Sequence, residues 1–137
     1  MYPFKRILVP VDFSSCSEHA MALASQIARQ HGGTLIVVHA WETPHFPGGD
    51  VLIHVPGLDA RTLEAVAHDE AEKALRRFCE GHCDAQGDVT QLLMVGSPHR
   101  VILDASTTET ADLIVMGAHG REGRAHLLMG SVAAKVI

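Results

Sequence analysis

Four short apolar runs alternate along this chain with segments of helical period, and that alternation limits the fold more than any other feature. The runs are ILVPVD (Ile7 to Asp12), TLIVVHAW (Thr34 to Trp41), DVTQLLMVGS (Asp88 to Ser97) and DLIVMGAHG (Asp112 to Gly120). Each is dense in aliphatic, largely β-branched residues. Such runs fit strands buried on both faces of a parallel sheet.

The intervening segments read as helices. Ser15 and Glu18 have the spacing of a capping box, and Ala20, Leu23, Ala24, Ile27 and Ala28 recur at helical period before Gly32 and Gly33 end the segment. The stretch from Glu42 to Asp59 is rich in Pro and Gly and reads as a long loop. Asp59 can cap a second helix with an apolar stripe of Leu63, Ala67, Ala71, Ala74, Leu75 and Phe78. Ser97 and Pro98 suit the N-cap and first position of a third helix through Val101, Ile102 and Ala105. A last helix starts at Ser131.

The order β-α-β-α-β-α-β-α predicts a three-layer α/β/α fold, with an open parallel sheet between helices. The 137 residues suit one domain spanning 1–137. With 47% hydrophobic and 20% charged residues, a packed core is expected rather than disorder. Eleven basic and 16 acidic residues give a net charge of −5 without a Lys/Arg run, which points away from nucleic acid and membrane surfaces as partners. No apolar run is long enough for a transmembrane helix, and the N-terminus lacks the cleavage site of a signal peptide. Three cysteines without framework spacing suit a reducing, cytoplasmic compartment.

In such sheets ligands sit beyond the carboxyl ends of the strands, where the strand order reverses. Asp12 ends the first run, and the segment MGAHGREGRAHLLMGS (Met116 to Ser131) begins as the fourth run ends. If the first and fourth strands are neighbours, the two converge. Gly117 and Gly120 would let backbone approach a ligand without a Cβ in the way. Gly130 and Ser131 fall where a helix begins, and a helix N-terminus with its free amides suits phosphate. Asp12 has the wrong sign for phosphate and suits ribose hydroxyls or a base amino group. Neither a P-loop nor a GxGxxG turn is present.

The spacing G-x2-G-x9-G-S, formed by Gly117, Gly120, Gly130 and Ser131, resembles the nucleotide-binding signature of the universal stress protein family. The resemblance runs through ILVPVDFS, LIVVHAW, VGSPHRVILDAS and LIVMGAHGREGRAHLLMGSVAAKVI, nearly the whole chain. It implies a Rossmann-like sheet of strand order 3-2-1-4-5 with adenine nucleotide beside strands 1 and 4. The implied nucleotide-binding residues are Pro10, Val11, Asp12, Ala40, Met116, Gly117, His119, Gly120, Gly130, Ser131 and Val132. Within that set Asp12 stands at the adenosine end, the Ala40 backbone meets adenine, and Met116 and Gly117 form a backbone wall. His119 and Gly120 turn over the phosphates, which Gly130, Ser131 and Val132 receive. The implied ligand is ATP, with ADP or AMP as alternatives and Mg2+ as a companion ion. A stress-response role and a homodimer are implied as well. The family dimer commonly uses a fifth strand that has no counterpart before Ile137, so the native chain is expected to run on.

Simpler roles compete for these residues. The glycines also suit a flexible loop, Asp12 a helix cap beside Ser14 and Ser15, His119 a solvent-facing position, and Ser131 a plain N-cap. Glu122 is the only carboxylate within the glycine segment and nothing in the sequence fixes it, so weak ATP hydrolysis is the most catalysis to expect. A protein-interaction module without nucleotide is the third class. Cys79, His82 and Cys83 cluster, but no second pair completes a zinc site. His45, His54, His99 and His126 are scattered, and no metal is expected.

Overall fold

The computed structural model describes residues 3–42, 52–53, 61–82, 88–118 and 136. Strands β1 (Arg6–Pro10), β2 (Thr34–Trp41), β5 (Val89–Val95) and β6 (Leu113–Ile114) form one sheet in the order β5-β2-β1-β6. Every pairing in it is parallel. Counted over these four strands the order is 3-2-1-4, as expected. A short antiparallel ribbon of β3 (Leu52–Ile53) and β4 (Arg61–Thr62) stands apart from it. It lies at and just beyond the stretch read from sequence as loop; Asp59 falls outside the described residues. No helix among the described residues is long and apolar enough to cross a membrane.

The run-like composition of β1 and β2 follows from burial on both faces. Alternate residues point to opposite sides of a strand. Ile7, Val9, Val11, Leu35 and Val37 therefore meet α1 (Ser15–His31) and α2 (Leu63–His82) through Ala20, Met21, Ala24, Leu75 and Phe78. Leu8, Ile36 and Val38 meet α3 (Pro98–Thr108) through Val101, Ile102 and Ala105 on the other face. Each fully buried aliphatic side chain contributes on the order of 1.5–3 kcal/mol.

The signals of the three described helices held with two corrections, and the helix start read at Ser131 lies outside the described residues. Ser14, not Ser15, is the N-cap of α1, and its hydroxyl accepts the Ser17 amide. The shift follows from Asp12, whose carboxylate holds Ser14 in place, as described below. Leu23, expected in the apolar stripe, is 52% exposed, and Ser17, Met21 and Ser25 are buried instead. Gly32 ends α1 in the left-handed conformation (φ 64°), where glycine has no Cβ penalty. Ser97 and Pro98 open α3 as expected, without a side-chain cap bond.

At the amino ends of the strands, Asp112 ties β6 to β1. Its carboxylate accepts the amides of Lys5 (3.1 Å) and Arg6 (3.0 Å). At the carboxyl ends the Val115 amide donates to the Leu8 carbonyl at 2.9 Å. These bonds place the start of the glycine segment beside the end of β1.

Candidate functional site at the β1/β6 switch point

The chain moves from β1 to β2 to β5 in one direction, then crosses back to place β6 on the other side of β1. The reversal point lies between β1 and β6, where their carboxyl ends leave room for a ligand. Pro10, Val11, Asp12, Ala40, Met116 and Gly117 are described there or nearby. His119, Gly120, Gly130, Ser131 and Val132 lie outside the described residues.

β1 ends at Pro10, two residues earlier than Asp12. Val11 continues it by one bond, its amide donating to the Val38 carbonyl at 2.9 Å. Asp12 then opens a tight turn. Its Oδ1 accepts the Ser14 amide at 3.0 Å, the Ser14 hydroxyl, and the Ser17 hydroxyl at 2.6 Å. In return, the Asp12 amide donates to Ser17 Oγ at 2.9 Å. Asp12 thus does not cap α1 itself; it holds the N-cap residue Ser14 and the Ser17 hydroxyl in an Asx-type turn just ahead of the helix. A carboxylate at a helix N-terminus is also favoured by the helix dipole.

Phe13 takes a left-handed backbone conformation, φ 67°. A bulky residue there carries strain on the order of 1–2 kcal/mol. Its surroundings hold it. The Phe13 ring lies 4.4 Å from His39 and 5.5 Å from Phe78, centroid to centroid. His39 Nδ1 stands 2.8 Å from the Val11 carbonyl oxygen. A carbonyl only accepts, so the ring donates from Nδ1. The Val11–Phe13 turn is therefore fixed from β2, from α1 and from α2 at once.

Ala40 and Met116 pack on the opposite face of the sheet, against the cluster around α3. Gly117 sits against the first turn of α1. A Cβ at Gly117 would stand 2.7 Å from Cys16 Cβ and 3.2 Å from the Cys16 carbonyl carbon. The reason for this glycine includes helix packing, which neither the ligand nor the flexible-loop reading anticipated.

Sequence reading missed Phe13, Cys16, Ser17 and His39. Ser14 and Ser17 carried a signal in their spacing, since an N-cap hydroxyl reaches the amide three residues on. The positive φ of Phe13 carried none. His68, Asp69 and Glu72 bring three ligand-type atoms within 4.8 Å of one another on α2. His68 and Glu72 already form an ion pair one helical turn apart, at 3.6 Å.

The sequence model of the Universal stress protein family matches residues 3–137. The chain is 36% identical over 135 residues to a universal stress protein of Thermus aquaticus, covering 98% of this chain and 91% of that one. It is 33% identical over 133 residues to universal stress protein Rv2005c of Mycobacterium tuberculosis, covering 96% of this chain but 41% of that protein. This chain thus spans less than half the length of that relative. Among solved structures, MJ0577 superposes with a TM-score of 0.79 at 24% identity, covering 98% of this chain and 89% of that chain. A universal stress protein in complex with cAMP superposes with a TM-score of 0.61 at 26% identity, covering 98% and 89%. By the match along almost its whole length, this chain belongs to the universal stress protein family.

Proposed function

We propose that this chain binds an adenine nucleotide, ATP foremost, at the β1/β6 switch point and acts as a regulatory, stress-response domain. One observation carries the reading. The fixed turn at Asp12 and the opening of the glycine segment at Met116 and Gly117 lie beside one another at the carboxyl ends of neighbouring strands. The relative solved with cAMP supports a nucleotide as the ligand class. Asp12 serves the adenosine end, with the Ala40, Met116 and Gly117 backbone beside it. Gly120, Gly130 and Ser131 serve the phosphates.

Binding rather than catalysis is the proposed role. Asp12, the carboxylate described at this site, is engaged by Ser14 and Ser17 of the α1 N-terminus rather than free to take a proton, and Glu122 lies outside the described residues. The protein works as a homodimer in this reading.

The experiment is extraction of small molecules by heat or acid from protein purified without added ligand, followed by calorimetry with ATP. Bound adenine nucleotide and a Gly130→Val variant that folds but loses ATP support the reading. Wild-type affinity in folded Gly130→Val removes the proposed phosphate site.

A further inference from the structure

One described residue at the site holds a backbone conformation that its side chain disfavours. Phe13 has φ 67°, in the left-handed region. Strain of this kind persists only where the surrounding structure over-determines it, and it gathers at ligand sites. Among the described residues Thr110 is the other non-glycine with positive φ, and it lies in an exposed turn after α3. Phe13 differs in what grips it.

A single side chain of β2 holds both chain neighbours of Asp12. His39 Nδ1 donates to the Val11 carbonyl at 2.8 Å, and the same imidazole lies 4.4 Å from the Phe13 ring. Phe78 of α2 meets that ring from 5.5 Å. Phe78 is held in turn. Its ring stacks on His82 at 4.6 Å, and His82 Nε2 lies 3.5 Å from Glu18 Oε1 of α1. The start of α1 does not require this clamp, because Ser14 caps the helix by accepting the Ser17 amide. What the clamp fixes is the backbone on either side of Asp12.

We propose that His39 and Phe13 are positioning residues of the nucleotide site, holding the Asp12 turn in its binding geometry before adenosine arrives. The inference rests on the nucleotide reading above and adds to it two residues that lie outside the implied binding set. A phenylalanine released from the clamp favours extended or right-handed backbone. Either rotation turns the Asp12–Phe13 peptide and pulls Asp12 from the Ser14 amide. The ligand would then have to order the turn as it binds, which lowers affinity. Because the turn lies at the adenosine end, adenosine and ATP lose equally.

The test is calorimetry of the full 137-residue chain with adenosine and with ATP, with circular dichroism and denaturant unfolding of each variant. His39→Leu removes the Nδ1 donor and should weaken both ligands by about three- to tenfold. His39→Asn, whose amide nitrogen can occupy the place of Nδ1, should recover most of that loss. Phe13→Gly accepts the left-handed backbone but loses the ring, and should weaken both ligands by a similar factor. Ile7→Val, at a fully buried position near the amino end of β1, is the control: it should lose stability and keep wild-type affinity. A folded His39→Leu or Phe13→Gly that binds both ligands like wild type overturns this proposal and leaves the nucleotide reading standing. So does a His39→Asn that binds no better than His39→Leu, a loss confined to ATP, or an Ile7→Val weakened as much as they are. A wild type that binds neither ligand overturns the reading and the proposal together. Should one of the two site variants fail to fold, the other decides.

Discussion

Gly117 packs so closely on Cys16 that a side chain there would meet the first turn of α1 at 2.7 Å from Cys16 Cβ. Real Cβ atoms do not approach that closely, and the neighbouring atoms are the Cys16 Cβ and helix backbone rather than a flexible tip. The glycine that opens the signature thus serves the fold before any ligand arrives.

Gly117→Ala is expected to destabilise the ligand-free protein by about 1–3 kcal/mol, the usual cost of overpacking. Chemical denaturation without nucleotide measures it. Cys16→Ala should not rescue the variant, because it keeps the Cβ that clashes. Unchanged stability would return Gly117 to a purely ligand-facing role.

Asp12→Ala removes the shared acceptor of Ser14 and Ser17. The expected loss is about 1–3 kcal/mol of stability, read by denaturant unfolding. Adenosine and ATP affinity should fall by a similar factor if Asp12 serves the adenosine end. Asp12→Asn keeps an acceptor oxygen for the Ser14 amide and the two hydroxyls, so its stability should stay within about 1 kcal/mol of wild type. A loss of ATP alone, with adenosine unaffected, would reverse the orientation assigned to the ligand.

Ser25 is 1% exposed, and its hydroxyl has no partner among the described residues. Burying a hydroxyl without a hydrogen bond is costly. Ser25→Ala should raise stability by about 1 kcal/mol, helped by the better helix propensity of alanine. A clear destabilisation in thermal unfolding would show that the hydroxyl is satisfied in solution.

The fold class was legible because its signals are local and physical. Two-sided burial made β1 and β2 into apolar runs, and the N-cap Ser97 with Pro98 at the first position marked α3. The candidate site was legible only in part. Asp12 and Gly117 were singled out by position and spacing, yet their contacts were not legible there. Leu23 lay on a period that fits two neighbouring faces, and only packing against the sheet chose Met21 over it. The weak ribbon of β3 and β4 has too few residues to show a period at all.

What the sequence determined by itself is the alternation of strands and helices, and with it a parallel sheet between two helical layers. What only the tertiary structure decided is which ends meet. The neighbouring of β1 and β6 is implied only by resemblance, and packing alone brings Gly117 onto Cys16 and lets His39 and Phe78 hold Phe13 in a conformation its own chemistry disfavours. Those relationships join residues far apart in the chain. Local propensity and periodicity act over one or two turns, so they cannot specify contacts that exist only once the sheet has closed on its helices.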